Sequence, residues 1–429
     1  MAIVNARTTS ATVAAPHATS KSALTVVTSL FFMWGFVTVL NDVLVPHLKA
    51  IFDLDYAKVM LIQFAFFSAY FIFSIPSAKL IDWLGYKKTM VIGVVTMGVG
   101  ALLFIPAASV PSYPLFLGAL MVLAGGITAL QVAANPYVAV LGPPETASSR
   151  LNLSQAFNSL GTTIGPYLGG RLILNATRQN IETVRQMSAD ALHSYRIQEA
   201  SSVKTPYLII GLALIALGVV IAIFKLPPMP EAERHGETGQ HQSIWKYRHL
   251  VLGMVAIFVY VGAEVSIGSF LINYFTQSYI GNIPEVVAAR YVSYYWGGAM
   301  VGRFIGSAIL QKVRTGVVLG IAAIAACILV SISMLTFGHV AMWSIILVGF
   351  FNSVMFPSIF TLGIAKLGPL TGDGSGLLIM AIVGGAIIPV IQGIFADHFG
   401  IHHAFFLPAI CYLYIVYYAL KGSRPALTT

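Results

Sequence analysis

The segment Pro-Tyr-Val-Ala-Val-Leu-Gly at residues 136–142 recurs as Pro-Ser-Ile-Phe-Thr-Leu-Gly at residues 357–363, which is 221 positions later (357 − 136). A second match follows in the next apolar segment of each copy. There, three positions recur 223 residues later: Gly161, Pro166 and Gly170 match Gly384, Pro389 and Gly393. Because two neighbouring segments agree in spacing to within two residues, the pattern favours an internal duplication. It predicts a chain built from two related halves.

The composition indicates that both halves lie in a membrane. Of the 429 residues, 57% are apolar and only 9% are charged, whereas soluble domains carry about 25% charged residues. A helix needs roughly 20 apolar residues to cross a bilayer, and runs of this kind occur at about 23–45, 57–78, 89–108, 115–141, 153–174, 206–226, 249–275, 289–311, 315–337, 340–366, 377–396 and 403–420. We therefore predict an all-α polytopic membrane protein with twelve transmembrane helices in two six-helix repeats.

A hydrophilic stretch at 227–248 divides these runs near the middle of the chain. It is rich in proline and in charge, which is typical of a linker. The predicted organisation is a disordered cytoplasmic N-terminus at 1–22, an N-terminal six-helix bundle at 23–226, the cytoplasmic linker, a C-terminal six-helix bundle at 249–420 and a cytoplasmic tail at 421–429. The first run is too long for a signal-peptide core and has no cleavage site behind it, so we expect it to remain as the first helix.

The distribution of lysine and arginine predicts the orientation. With the N-terminus inside, 15 of the 22 basic residues in loops and tails face the cytoplasm and seven face the exterior. The remaining two of the 24, Arg171 and Arg303, lie near span ends, where long basic side chains snorkel. The positive-inside rule then places both termini in the cytoplasm. We expect a monomeric multi-pass protein of the inner (plasma) membrane, whose net charge of +9 sets orientation and does not indicate nucleic-acid binding.

Two acidic residues, Asp42 and Glu264, lie clearly inside apolar runs, and they are 222 positions apart (264 − 42). The duplication thus makes them equivalent positions on helices 1 and 7. A carboxylate at the bilayer centre costs at least about 2.5–3.5 kcal/mol, so it usually faces an aqueous cavity on an ion or substrate path. The alternative is a structural carboxyl satisfied by neighbouring helices. The same shift relates Gln131 to Asn352 or Ser353, which predicts polar groups at matching depth on helices 4 and 10.

Amide side chains suggest what the cavity binds. Gln155 and Asn158 are three residues apart and share one face of helix 5. A sugar presents hydroxyls that both donate and accept, and amides and carboxylates can pair with them. Amides also join membrane helices to one another, which is the alternative for Asn158.

Known catalytic motifs are missing from the sequence. We find no HExxH, GxSxG or P-loop motif, and the cysteines, Cys327 and Cys411, have neither CxxC nor Cys/His spacing. An enzyme is therefore not expected, and neither is a metal site or a cofactor.

Several longer motifs, taken together, are specific. They are Leu40-Asn41-Asp42 with Pro46 closing helix 1, the segment 133–138 (Ala-Ala-Asn-Pro-Tyr-Val), the segment 150–159 (Arg-Leu-Asn-Leu-Ser-Gln-Ala-Phe-Asn-Ser), the segment 260–263 (Tyr-Val-Gly-Ala) and the segment 357–363 quoted above. In these motifs the chain resembles, end to end, the fucose–galactose–glucose:cation symporters of the major facilitator superfamily.

The resemblance implies a hexose transporter that moves its sugar together with a cation by alternating access. Asp42 matches the helix-1 carboxylate of the family, whereas Gln131 replaces a carboxylate that fucose-specific relatives carry on helix 4. Glu264 stands where those relatives have an amide, and the combination is similar to the glucose/galactose branch. The implied sites are cation coupling by Asp42 and Glu264, and sugar binding by Asn41, Gln131, Gln155, Asn158, Glu264 and Asn352.

The alternatives that remain open concern cargo and coupling. Proton coupling is favoured and sodium coupling is the alternative, while fucose or N-acetylglucosamine are alternatives to glucose or galactose. A passive facilitator or a drug/cation antiporter on the same scaffold is more remote, because the carboxylates disfavour the first and the amide-rich walls disfavour the second.

The loop between helices 2 and 3 partly fits a signature of the superfamily, with Asp82, Lys87 and Lys88 as its charged members. The resemblance implies that these residues form a gate at the cytoplasmic face, which keeps that face shut in an outward-open state. The alternative is a solvated cluster of loop charges.

Overall fold

A computed structural model describes residues 20–52, 56–110, 112–173, 187–201, 203–227 and 243–425. Within helices, only the backbone is described at 41–51, 56–60, 166–167, 169–173, 189, 193, 196, 199, 200 and 286. The described part of the chain is almost entirely helical and contains no strand.

Twelve apolar helices follow one another in the described ranges, as the sequence predicts. They are α1 Lys21–Phe52, α2 and α3 within Tyr56–Ser109, α4 Tyr113–Val140, α5 Ala147–Ile173, α6 Lys204–Ile223, α7 Arg248–Phe275, α8 Glu285–Ile309, α9 Thr315–Leu335, α10 Gly338–Gly363, α11 Gly368–Phe399 and α12 Ile401–Gly422. A short helix, Ala189–Ser201, lies between α5 and α6, in a stretch where the apolar pattern predicts no helix.

Glycines make two of the tight turns between helices. Gly85 has φ 79° and ψ 168° and separates α2 from α3, and Gly400, with φ 81° and ψ 151°, separates α11 from α12. A side chain is disfavoured at such angles because Cβ meets the backbone. Since one turn follows an even-numbered helix and the other an odd-numbered one, they lie at opposite ends of the bundle. We call these ends the Gly85 end and the Gly400 end.

Three helix boundaries differ from the expectation. Helix α1 runs through Pro46 to Phe52 instead of ending at the proline, because membrane-spanning helices tolerate proline where neighbouring groups satisfy the freed carbonyl. Helix α10 is interrupted after Asn352 and resumes at Met355. A single 3₁₀ turn, Ala381–Val383, lies inside α11.

Hydropathy is lower in two helices than in the others. Nine segments of the described chain are long and apolar enough to cross a membrane, one of them the 49-residue stretch Leu61–Ser109 that holds both α2 and α3. Helices α5 and α8 are not among the nine. They carry polar residues such as Gln155, Asn158 and Arg303, and they pack against each other across the two halves.

The duplication is visible in the packing. Gly161 on α5 lies against the backbone of Phe32 on α1, and Gly384 on α11 lies in the same way against the backbone of Phe258 on α7. Small residues of this kind allow membrane helices to approach closely. The halves meet where α2 packs against α11 and where α5 packs against α8. In a six-helix repeat α2 corresponds to α8 and α5 to α11, so the repeat converts one interface into the other.

Candidate functional site

A polar network surrounds Glu264 in the C-terminal half. The Tyr260 hydroxyl, one helical turn before it on α7, donates to Glu264 Oε1 at 2.8 Å and lies 3.0 Å from the carbonyl oxygen of Asn352 on α10. Tyr260 is buried, whereas Glu264 is half-buried. The carboxylate is therefore held on one side by a phenol and retains partial exposure, as a ligand-binding group requires.

The amide of Asn352 is hydrogen-bonded within its own half. Its Nδ2 donates to the Tyr295 hydroxyl at 2.9 Å, and its Oδ1 accepts from the Tyr412 hydroxyl at 2.8 Å. The residue is fully buried. Its carbonyl oxygen contacts the same Tyr260 hydroxyl that binds Glu264, and its amide supports the network through one N–H and its oxygen.

The N-terminal half contains a matching pair. Gln131 Nε2 on α4 donates to the Tyr70 hydroxyl on α2 at 2.9 Å, just as Asn352 Nδ2 on α10 donates to Tyr295 on α8. Both amides are at least nine-tenths buried. The predicted equivalence of Gln131 and Asn352 thus extends to their bonding partners.

Of the helix-5 amides, Asn158 lies on the side of α5 that faces α1. Asn158 is half-buried and its Nδ2 donates to the carbonyl oxygen of Phe31 at 3.0 Å. Gln155 is 7% exposed. Part of the Asn158 amide therefore joins helices, as the packing alternative anticipates, and its Oδ1 is not used in that bond. The side chains of Asn41 and Asp42 lie outside the described residues, although their backbone belongs to α1.

Arg303 is a site residue that the sequence does not reveal. Instead of snorkelling from a helix end, its guanidinium Nη1 donates to Ser159 Oγ on α5, and Asn152 Nδ2 donates to its carbonyl oxygen at 2.7 Å. An arginine within a membrane-spanning segment is costly, and that cost is the signal that could have identified it.

The charges at the Gly85 end differ from the predicted gate. Lys79 Nζ contacts Asp82 at 3.2 Å and, across the two halves, Asp373 on α11 at 3.0 Å. Lys87 instead donates to the carbonyl oxygen of Ala222 on α6 at 2.8 Å, within its own half, and Lys88 is exposed. Of the predicted gate residues, Asp82 lies in the ionic contact between halves, and its partner is Lys79.

Hydroxyl groups close the same end. Ser375 Oγ on α11 donates to the carbonyl oxygen of Val132 on α4 at 2.7 Å, and Ser149 Oγ on α5 donates to the carbonyl oxygen of Ser307 on α8 at 2.7 Å. These bonds and the Lys79 contact lie between the middle of the helices and the Gly85 end. These contacts join the two halves at that end.

Comparison with known proteins gives consistent matches over most of the chain. The family model described as Major Facilitator Superfamily matches residues 24–382. A glucose/galactose transporter of Brucella abortus biovar 1 (strain 9-941) is 53% identical over 402 residues, which is 94% of each chain. The crystal structure of a single-residue variant of the Escherichia coli fucose:proton symporter superposes with a TM-score of 0.86 at 34% identity and covers 93% of this chain and 98% of the other. A related structure of a transporter in the outward conformation gives a TM-score of 0.85 at 35% identity, covering 92% and 97%.

Proposed function

The chain belongs to the major facilitator superfamily and, within it, to the fucose–galactose–glucose symporter family, and we propose from this that it carries glucose or galactose across the membrane together with a proton. The observation that carries the proposal is the half-buried Glu264, held by Tyr260 inside the membrane-spanning helix α7, in a chain that is 53% identical to a glucose/galactose transporter along nearly all of its length. No chemical step is needed for this function, and we assign no catalytic residue.

Sugar binding is assigned to groups from both halves. Glu264 accepts hydrogen bonds from sugar hydroxyls through its carboxylate, and Gln155 and Asn158 pair with others from the α5 side. Asn41 and Gln131 are assigned to sugar binding as well. Asn352 contributes by holding Tyr295 and Tyr412 in place rather than by direct contact. A site divided in this way is strengthened when the halves approach, which is what alternating access requires.

Proton coupling is assigned to Asp42, at the position equivalent to Glu264. A coupling group must change its charge during the cycle, and an acid that is alternately wetted and buried does so. The alternative is a sodium ion held by the oxygen atoms of Asp42 and Glu264, because hard cations favour oxygen ligands. Both versions assign Asp42 to coupling, and ion gradients distinguish them.

The described conformation is assigned to the outward-open state. Its closed Gly85 end is the cytoplasmic one if both termini lie in the cytoplasm, and the overall similarity to a transporter solved in the outward conformation supports this. In this proposal the bundles at 23–226 and 249–420 rock about the site, joined by the linker at 227–248. The protein then acts as a monomer in the inner membrane.

Two substitutions test the division of labour between the acids. Asp42→Asn is expected to keep exchange of labelled sugar across proteoliposomes at equal concentrations and to lose accumulation driven by a proton gradient. Glu264→Gln is expected to lose sugar affinity, because a carboxylate acceptor is replaced by an amide. Counterflow and gradient-driven uptake of glucose, galactose, fucose and N-acetylglucosamine measure both effects, with and without proton and sodium gradients.

The outcomes separate the candidate functions. Accumulation by the Asp42→Asn protein would remove that residue from coupling, and normal affinity in Glu264→Gln would remove Glu264 from the sugar site. Wild-type uptake that does not change with any ion gradient would indicate a passive facilitator. Accumulation driven only by a sodium gradient would show that sodium, and not the proton, is the coupling ion.

A further inference from the structure

The proline of α4 leaves one backbone carbonyl free, and a side chain of the opposite half binds it. Pro136 lies inside α4 and has no N–H, so it cannot donate to the carbonyl oxygen of Val132, four residues earlier. Ser375 Oγ on α11 donates to that oxygen at 2.7 Å. A hydroxyl from one half therefore occupies a backbone acceptor of the other.

Asn135 lies beside this contact. Its side chain is fully buried, and neither Nδ2 nor Oδ1 makes a hydrogen bond to any described residue. It follows Gln131, which bonds to α2, by four residues and Val132, which bonds to α11, by three, and residues at such spacings share one face of a helix. Helices α2 and α11 also touch each other here, since a Cβ on Gly376 would lie 3.2 Å from the carbonyl oxygen of Ser74. The amide is thus enclosed where α2, α4 and α11 meet.

The closed Gly85 end gains nothing from this amide. A buried hydrogen-bonding group without a partner costs free energy, and native structures leave few such groups. A role in stabilising the proline kink does not account for it, because Ser375, and not Asn135, binds the freed carbonyl of Val132. The partner of Asn135 then belongs to a conformation in which α11 has moved away from α2 and α4.

We propose that Asn135 and the Val132 carbonyl bind the sugar on its release path, once the Gly85 end has opened. This inference rests on the proposed function, in which that end faces the cytoplasm and Gln131 belongs to the sugar site. Since α4, like α2, runs toward the Gly85 end, Asn135 lies about 6 Å nearer to that end than Gln131. Its side chain is the next polar one along α4 in that direction.

The Ser375 hydroxyl stands in the closed state where a sugar hydroxyl stands in the open one. When α11 withdraws, a hexose hydroxyl donates to the carbonyl oxygen of Val132 as the serine does, and it accepts from Asn135 Nδ2. Asn135 Oδ1 then accepts from a second hydroxyl. The same groups suit a cation poorly, because hard cations take about six oxygen ligands, whereas this set offers two oxygen atoms and an N–H donor.

Four variants separate sugar binding from a structural role. Asn135→Leu and Asn135→Ala remove the amide, and the leucine should leave the melting temperature unchanged or higher, because it replaces an unpartnered polar group by an apolar one of similar size. Pro136→Ala restores an N–H that bonds the Val132 carbonyl within α4 and so withdraws it from the sugar. Ser375→Ala removes the hydroxyl of the closed contact but keeps both proposed sugar groups, and so it is the matched control.

The measurement is the half-saturating concentration of glucose and of galactose at each face, in right-side-out and inside-out membrane vesicles without an ion gradient. For Asn135→Leu, Asn135→Ala and Pro136→Ala we expect the value at the cytoplasmic face to rise by roughly 5- to 150-fold relative to the value at the external face, as the loss of a hydrogen-bonding group predicts. For Ser375→Ala we expect this ratio to stay unchanged or to fall, because only the closed state is weakened.

The ratio between the two faces decides the outcome. An unchanged ratio in the folded Asn135→Leu or Pro136→Ala protein would overturn the release-path contact and leave hexose transport standing. An equal rise at both faces would assign Asn135 to the central site or to the fold, and would also overturn it. Wild-type vesicles in which the exchange of glucose and galactose saturates at neither face would overturn the proposed function itself.

Discussion

Gln131 and Asn352, at equivalent positions of the two halves, make the same kind of hydrogen bond. Each donates its amide N–H to a tyrosine on the helix two places earlier, Tyr70 or Tyr295, at 2.9 Å. An unpaired amide or phenol in such a place would cost about 1–3 kcal/mol. These pairs therefore stabilise each half, and Glu264 is more exposed than either amide.

The helix-5 amides provide a prediction at the residue scale. Gln155→Ala and Asn158→Ala are each expected to lower sugar affinity by roughly 5- to 150-fold, because losing one buried hydrogen-bonding group costs about 1–3 kcal/mol. Isothermal titration or fluorescence quenching with purified protein measures the change. Asn158→Ala should also lower the melting temperature, since it loses the bond to Phe31. Unchanged affinity in both variants would remove α5 from the sugar site.

Among elements, the crossings of α1 with α5 and of α7 with α11 depend on single glycines. A methyl group at Gly161 or Gly384 would collide with the backbone of Phe32 or Phe258, and backbone cannot rotate away as a side chain can. Gly161→Ala and Gly384→Ala should each destabilise the protein by about 1–3 kcal/mol, visible as a lower melting temperature in detergent.

Gly118→Ala on α4 is the matched control, because a Cβ at Gly118 meets nothing within 4 Å. Alanine there should leave the melting temperature unchanged or raise it slightly, since alanine favours a helix over glycine. Equal melting temperatures for Gly118→Ala and Gly384→Ala would show that the crossing tolerates a methyl group.

The helices are largely predictable from the sequence, because each apolar run of about 20 residues must satisfy its own backbone hydrogen bonds in lipid. The duplication adds the equivalence of Gln131 and Asn352, since a fixed spacing survives in the chain. Features set by contacts between helices are not predictable. Examples are the path of α1 through Pro46, the interruption of α10 after Asn352, and the bond of Arg303 to Ser159 on the opposite half.

For the whole molecule, the ionic contact at the Gly85 end is expected to bias the equilibrium between states. Lys79 and its partners are 30–48% exposed, and exposed ion pairs contribute about 0.2–1 kcal/mol. Lys79→Gln should therefore increase opening of this end by about 1.4- to 5-fold. The rate at which a maleimide labels Ser375→Cys, in a protein with Cys327 and Cys411 replaced by alanine, reports that opening, because Ser375 is buried in the closed contact.

Lys88→Gln serves as the control for Lys79→Gln, since it removes an exposed lysine from the same end of the molecule. It should leave the labelling rate unchanged. Faster labelling in Lys88→Gln with no change in Lys79→Gln would favour the gate that the sequence predicts over the one built on Lys79.

The repeat relates the α2–α11 interface to the α5–α8 interface, and this relation has an evolutionary consequence. Two copies of one six-helix ancestor, paired about a two-fold axis, would have formed both interfaces from the same residues. In the present chain one interface carries Lys79 and Asp373 and the other carries Ser149 and Ser307. A fusion of the two copies would have freed these surfaces to diverge, and the same reasoning covers the acids at equivalent positions on α1 and α7, to which we assign different roles.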